Sequence, residues 1–139
     1  MKRILVDTGP LVAILSPQDE HHADCVDALR NMSGPLLSCW PVITEAAWLL
    51  RGSPRAVRQL LRSIDGSFLE LLPLAGPEAE AVAALMKRYE DIHPQLADAA
   101  LVYLANREQI ETIFTLDQRD FSIYRFGRKR MFHIVPEIE

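Results

Sequence analysis

The chain has 139 residues, 49% of them hydrophobic and 24% charged, with a formal net charge of −4. This length is typical of one globular domain, and the acidic balance argues against a protein that coats nucleic acid through bulk charge. No stretch approaches the roughly 20 apolar residues of a membrane span, and Cys25 and Cys39 lack the spacing of a zinc site. We therefore expect a single cytoplasmic domain over residues 1–139, with no membrane segment.

Short apolar runs alternate with helical patterns, which is typical of a parallel sheet covered by helices. The stretch Asp-Thr-Gly-Pro after the first run is typical of a turn. Strands are predicted near residues 3–6, 35–40, 67–74, 110–117 and 131–136. Helices are predicted near residues 10–15, 20–31, 41–52, 54–64, 76–91 and 96–109. The pattern predicts an α/β fold, a three-layer α/β/α domain with a mostly parallel five-stranded sheet.

Four acidic residues stand at comparable positions in this predicted fold. Asp7 and Asp117 each follow an apolar strand directly, Glu45 lies near the start of a helix, and Asp98 begins a later helix. Taken singly, each is better explained as an ordinary exposed or helix-terminal acid. The carboxyl ends of parallel strands share one edge of the sheet, however, so all four are expected to meet there.

Four carboxylates at one edge would repel each other and have raised pKa values unless a cation lay among them. Their hard oxygen ligands suit Mg²⁺ or Mn²⁺. Such an ion activates a bound water and neutralises phosphoryl charge, which favours phosphodiester hydrolysis as the reaction.

Four segments, in order, carry a family resemblance: ILVDTGPLVAIL, PVITEAAWLL, LADAALVYLA and IFTLDQRDFSIYR. They resemble the four acidic motifs of the PIN domain, and most nearly those of the VapC-type toxin ribonucleases. The resemblance implies a PIN-like sheet in the order 3-2-1-4-5 and a Mg²⁺-dependent (or Mn²⁺-dependent) endoribonuclease. It also implies an RNA substrate, a small antitoxin protein as partner, and a homodimer.

The same resemblance assigns roles to individual residues. The implied catalytic metal ligands are Asp7, Glu45, Asp98 and Asp117. Thr8 and Thr115 would lie beside the metal, and Asp120 is a further acid that some relatives use. Gln95 stands where relatives often carry Asp. This difference removes a possible acid from the surroundings of the metal but leaves the four implied ligands intact.

Two groups of basic residues are candidates for RNA contact. The first is a stripe at helical spacing, separated from Arg51 by Gly52 and Pro54: Arg55, Arg58 and Arg62. The second is the segment YRFGRKR, with Arg125, Arg128, Lys129 and Arg130. In this segment Tyr124 and Phe126 could stack on bases while the cations hold phosphates. A solvated helix face and a basic hairpin beside an edge strand are the respective alternatives.

Two other functions remain open at this point. One is a PIN nuclease of RNA processing that has no antitoxin, and the other is a non-catalytic PIN module that binds RNA or protein. A broken set of acids would favour the binding module, and here the set is intact. Trp48, Leu49 and Leu50 are helix residues that we predict to lie in the core. If some of that surface is exposed, it resembles the region where toxins of this type accept an antitoxin segment or dimerise.

Overall fold

The computed structural model describes residues 2–137. The strands are β1 (Leu5–Val6), β2 (Leu36–Ser38), β3 (Leu69–Leu71), β4 (Thr112–Phe114), β5 (Arg125–Phe126), β6 (Arg130–Met131) and β7 (His133–Val135). The α-helices are α1 (Thr8–Leu15), α2 (His22–Arg30), α3 (Trp40–Leu49), α4 (Pro54–Arg62), α5 (Ala79–Arg88), α6 (Leu96–Glu108) and α7 (Gln118–Phe121). Within these residues no helix is long and apolar enough to cross a membrane.

Five of the strands form one parallel sheet in the order β3-β2-β1-β4-β7. In the central strand, Leu5 is opposite Leu37 on one side and Ile113 on the other. The predicted α/β fold with its five-stranded sheet is confirmed, and β7 takes the place of the fifth strand in the order 3-2-1-4-5. The strands β5 and β6 form a separate antiparallel hairpin before β7.

The core lies between this sheet and its helices. Leu5, Val6 and Phe114 are fully buried because the central strands are covered. Helix α6 packs against α3 and α5 and is buried on most of its surface. Its buried residues are Ala97, Asp98, Ala99, Ala100, Leu101, Val102, Leu104 and Ala105. A helix that is apolar nearly all round belongs in the interior, and so Asp98 is carried by one of the most enclosed elements of the fold.

The Asp-Thr-Gly-Pro stretch is not a turn, and this prediction was wrong. Helix α1 begins at Thr8, and Asp7 alone joins it to β1, with an extended backbone (φ −87°, ψ 174°). Pro10 is tolerated because the first N–H groups of a helix have no partner within it. A Cβ on Gly9 would lie 3.4 Å from the Leu116 side chain. The missing side chain lets α1 approach the segment that follows β4.

One predicted break between helices is confirmed, and one predicted helix is divided. The break predicted at Gly52 and Pro54 is confirmed, and the Ser53 side chain accepts a hydrogen bond from the Ala56 amide as the N-cap of α4. The predicted helix 76–91 consists of α5 between two 3₁₀ turns, Gly76–Glu78 and Glu90–Ile92.

Glu78 ties the start of α5 to α6. Its carboxylate accepts hydrogen bonds from the Tyr103 hydroxyl (2.5 Å), the Ala75 amide (2.9 Å) and Arg107 Nη1 (2.6 Å). These donors, the Tyr103 hydroxyl foremost, lower the pKa of Glu78 to about 2.

Both cysteines are fully buried and unpaired. Burial raises the pKa of each thiol to about 11. For Cys39 the charge of Asp7 adds to this effect, whereas for Cys25 the charges of Asp19 and Asp24 do so. Neither thiol therefore ionises near neutral pH, and the prediction of both cysteines as small buried residues is confirmed.

Candidate active site

An acidic pocket of about 470 Å³ opens at the carboxyl edge of the sheet. It is lined by Asp7, Thr8, Gly9, Glu45, Leu49, His93, Gln95, Asp98, Leu116, Asp117 and Asp120. All four acids that the sequence predicted to meet are in this set. They come from the end of β1, from α3, from α6 and from the segment after β4.

Asp7 is only 6% exposed, and its carboxylate is held by a threonine from the neighbouring strand. Thr115 Oγ1 donates to Asp7 Oδ2 over 2.8 Å and accepts from the Asp117 amide over 3.0 Å. Burial raises the pKa of Asp7 to about 6, although the bond from Thr115 opposes this, and the charges of Glu45 and Asp117 add to it. Thr115 thereby connects the acids at the ends of β1 and β4.

Glu45 lies in the second turn of α3 and is held in a similar way. The hydroxyl of Thr8, the first residue of α1, donates to Glu45 Oε1 over 2.6 Å. Thr8 is itself buried. Both threonines predicted to lie beside the acids therefore contact one of them directly.

Asp98, Asp117 and Asp120 form a close group in the pocket, since one carboxylate oxygen of each lies within 4.8 Å of the others. Asp117 caps α7 by accepting the Asp120 amide over 3.0 Å. Burial raises the pKa of Asp98 to about 7, and the charges of the other four acids of the pocket add to this. Burial and the charge of Asp117 raise the pKa of Asp120 as well. Asp120, which the resemblance left optional, lies with the others.

Tyr124 contacts one of the acids of the pocket, a role that the sequence analysis missed. Its hydroxyl donates to Asp98 Oδ2 over 3.4 Å, while its ring is only 1% exposed. Burial, with the charge of Asp98, raises the pKa of this phenol, so it remains a hydrogen-bond donor. The spacing of Asp117, Phe121 and Tyr124 follows a helical i, i+4, i+7 pattern, a signal that could have placed Tyr124 on the side of the acids.

Of the two alternatives left open for this segment, the stacking of Tyr124 and Phe126 on bases is excluded by their burial. These side chains are 1% and 6% exposed. Their rings pack edge-to-face against Tyr89, Phe121 and Phe132, with centroids 5.0 to 6.3 Å apart across the cluster. The hairpin alternative for this segment is confirmed by β5 and β6.

The cations of the hairpin divide into two kinds. Arg125 Nη1 donates to the backbone carbonyls of Ser122, Ile123 and Tyr124, and Arg130 pairs with Glu111 over 2.6 Å. Both side chains thus have partners within the fold. Two exposed cations remain at the hairpin turn, Arg128 and Lys129.

The basic stripe on α4 is present as a surface feature. Ala56 and Leu60 face the core, and the three arginines lie on the exposed side of the helix. Across residues 2–137 the side chains of these arginines make no ion pair or hydrogen bond with the protein. They are Arg55, Arg58 and Arg62.

An exposed apolar surface adjoins the acidic pocket. Trp40, Trp48, Leu49 and Leu96 are 54–63% exposed, and all but Leu49 line a shallow groove of about 480 Å³ that also contains Glu45 and Gln95. The prediction of Trp48 and Leu49 as core residues is wrong, whereas Leu50 is buried as predicted. A surface of this kind is typical of interaction sites.

The PIN domain family model matches residues 4–127. The chain belongs to the PIN domain family. This PIN domain is 30% identical over 135 residues to Ribonuclease VapC26 of Mycobacterium tuberculosis, an alignment that covers 96% of the chain and 100% of the relative.

The fold of this PIN domain is also similar to a solved structure, that of Mycobacterium tuberculosis VapC20, a sarcin-ricin loop cleaving toxin. The TM-score is 0.79 at 19% sequence identity, with 91% of this chain and 98% of the other covered. The resemblance to VapC-type PIN ribonucleases inferred from the four motifs is confirmed.

Proposed function

We propose that this PIN domain is a divalent-metal-dependent endoribonuclease and the toxin of a VapBC-type toxin–antitoxin pair. The observation that carries the proposal is the convergence of Asp7, Glu45, Asp98 and Asp117 in one pocket of a chain whose curated relative is a ribonuclease. The reaction is hydrolysis of an RNA phosphodiester bond by water.

The residues of the pocket fit a Mg²⁺ or Mn²⁺ ion. Carboxylate oxygens are the hard ligands that these ions prefer. One carboxylate oxygen each from Asp98, Asp117 and Asp120 lies within 4.8 Å of the others, close enough for these acids to share one ion. We assign Asp7, Glu45, Asp98 and Asp117 as the ligand set, with Asp120 as a further acid beside it. When bound, the ion lowers the pKa of a water ligand and neutralises phosphate charge.

The remaining residues of the pocket act on these carboxylates. Thr115 and Thr8 each bind one oxygen of their acid, Asp7 Oδ2 and Glu45 Oε1, and leave the other oxygen free for a cation. Since cations bind the ionised acids, the raised pKa values of Asp7 and Asp98 make metal binding compete with protons below about pH 7.

For RNA binding we propose the exposed cations of α4 and of the hairpin turn as phosphate contacts. Arg128 and Lys129 remain in this proposal, whereas Arg125 and Arg130 contribute mainly to the fold through their internal partners. The apolar surface of Trp40, Trp48, Leu49 and Leu96 supports a protein partner, which we propose to be an antitoxin segment or a second copy in a homodimer. We propose a cytoplasmic location and one PIN domain over residues 1–139.

RNA cleavage by the purified protein tests the proposal. Structured RNAs would be incubated with Mg²⁺ or Mn²⁺, with EDTA, and with the variants Asp98→Asn and Asp24→Asn. Asp24 is a matched control because it too lies in the first turn of a helix but is exposed. We expect cleavage by the wild type and Asp24→Asn, and none with EDTA or with Asp98→Asn.

Cleavage that persists in EDTA or in Asp98→Asn would contradict the proposed site. RNA that is bound without being cleaved under any of these conditions would favour the non-catalytic binding module. Cleavage that is unaffected by any co-expressed small partner protein would favour a processing nuclease without an antitoxin.

A further inference from the structure

Four of the five acids of the pocket accept a hydrogen bond that holds the carboxylate. Asp7, Glu45 and Asp117 accept from Thr115, Thr8 and the Asp120 amide, over 2.6 to 3.0 Å. For Asp98 the donor is the hydroxyl of Tyr124, over 3.4 Å. No other donor to the Asp98 carboxylate occurs among residues 2–137. Of these donors, Tyr124 is the one that neither the motifs nor the family resemblance indicated.

The tyrosine ring has little freedom to move. It packs edge-to-face against Tyr89, with centroids 5.0 Å apart, and against Phe121, with centroids 5.1 Å apart. Its backbone amide donates to the Asp120 carbonyl over 3.1 Å. The position of the hydroxyl is therefore set by the aromatic cluster and by the segment that carries Asp117 and Asp120.

Tyr124 thereby connects two separate parts of the pocket. Asp98 stands on α6, whereas Asp117 and Asp120 stand on the segment that ends at Tyr124. The three carboxylates repel each other at their observed separation. A donor on the segment of the other two acids holds Asp98 near them and leaves one of its oxygens free.

We propose that Tyr124 is a positioning residue, which orients the Asp98 carboxylate toward the cation that the pocket binds. The inference rests on the proposed metal-dependent function. Removal of an outer hydrogen-bond partner of a metal ligand typically costs 10–100-fold in metal affinity. Because the bond here is long, we expect an effect of about 10-fold, the lower end of that range.

The test is Mn²⁺ binding to the RNA-free protein, followed by the electron paramagnetic resonance signal of free Mn²⁺. The variant is Tyr124→Phe, which keeps the ring in the aromatic cluster and is expected to fold. Tyr89→Phe is the matched control. It removes a hydroxyl of the same cluster, one that accepts a hydrogen bond from the Arg125 amide and contacts no carboxylate. We expect about 10-fold weaker binding in Tyr124→Phe and unchanged binding in Tyr89→Phe.

A double-mutant cycle separates positioning from a general effect on the fold. In an Asp98→Ala background, Tyr124→Phe should cause no further loss of Mn²⁺ affinity, because the carboxylate that accepts the Tyr124 hydroxyl is gone. In RNA cleavage, Tyr124→Phe should need more metal for half-maximal rate while kcat at saturating metal is retained.

Several results would overturn the inference. The first is unchanged Mn²⁺ affinity in Tyr124→Phe, whether or not its Tm is lower. The second is an equal loss of affinity in Tyr89→Phe, and the third is a loss that persists in the Asp98→Ala background. If the wild-type protein binds no Mn²⁺, the proposed function itself is overturned. This result differs from those above, which would overturn only the role of Tyr124.

Discussion

Replacing Asp98 by Asn should stabilise the metal-free protein. Asp98 is 9% exposed and surrounded by other acids, so its ionised form is unfavourable in the folded state. Asn keeps an oxygen that can accept the Tyr124 hydroxyl but carries no charge. The substitution therefore removes the repulsion and retains the hydrogen bond.

The magnitude follows from the pKa of Asp98, which is raised from 3.8 to about 7. A change of this size corresponds to roughly 4 kcal/mol of destabilisation once the group is ionised. Solvent at the mouth of the pocket screens part of it, and we take about 2 kcal/mol as the expected gain for Asp98→Asn. In a chain of 139 residues this gain raises Tm by about 7 °C.

The gain should depend on pH in a defined direction. Between about pH 4 and pH 7 folded Asp98 binds more protons than unfolded Asp98, so this residue lowers wild-type stability as pH rises through that window. The advantage of Asp98→Asn is thus near zero at pH 4 and complete above pH 7.

Urea unfolding in EDTA at pH 4.5 and pH 8 would measure this dependence, with Asp24→Asn as the exposed control. Saturating Mn²⁺ should reduce or reverse the advantage, because only the wild type gains the full stabilisation from binding. A variant that is no more stable than the wild type at pH 8, or whose advantage is the same at both pH values, would refute the reasoning.

Three further predictions concern other contacts. Thr115→Val removes the hydroxyl between Asp7 and the Asp117 amide, so it should lower the free energy of unfolding by about 2 kcal/mol and weaken Mn²⁺ binding. Thr112→Val, at the start of β4, is the control, and a Mn²⁺ affinity of Thr115→Val no lower than that of Thr112→Val would count against the assigned role. Glu78, whose pKa is lowered to about 2, contributes stability that is complete above about pH 4.5 and lost as pH falls toward 2. Glu78→Gln should therefore be less stable than the wild type in urea at pH 7 but not at pH 2, and a difference that is constant with pH would contradict this. Reversing the charges of the α4 stripe should weaken RNA binding about 10-fold, as measured by fluorescence anisotropy, and reduce the salt dependence of that binding. The Mn²⁺ affinity should be unchanged. An unchanged RNA affinity would show that the stripe is a solvated face. The substituted residues of that variant are Arg55→Glu, Arg58→Glu and Arg62→Glu.

The main features of the acidic pocket could be predicted because they depend on topology. Asp7 and Asp117 follow strands of the same parallel sheet, and the geometry of such sheets brings their carboxyl ends together. Glu45 on α3 and Asp98 on α6, two helices that pack against each other, complete the set of four acids. Four ordered motifs therefore predicted the convergence without any knowledge of side-chain packing.

Features that depend on which apolar surface is buried could not be predicted in the same way. Trp48 and Leu49 lie on an apolar helix, but only the packing of α3 decides that they face outward. Tyr124 and Phe126 next to cations suit a base-stacking surface and a covered aromatic cluster equally well, and tertiary contacts select the cluster. Likewise, the sequence pattern does not distinguish Arg125 from Arg128. In the structure Arg125 donates to backbone carbonyls, whereas Arg128 is exposed.

The burial of both cysteines has a practical consequence for spectroscopy. Cys25 and Cys39 are the two cysteines of the sequence, and both are fully buried with pKa values near 11. Because the thiolate is the form of cysteine that reacts with thiol-specific reagents, the native protein should resist labelling. A cysteine introduced at an exposed position of α4 or next to Trp48 would then accept a single spin label or fluorophore without background. Distances between two copies, or from the protein to an RNA, could be measured on the otherwise native chain.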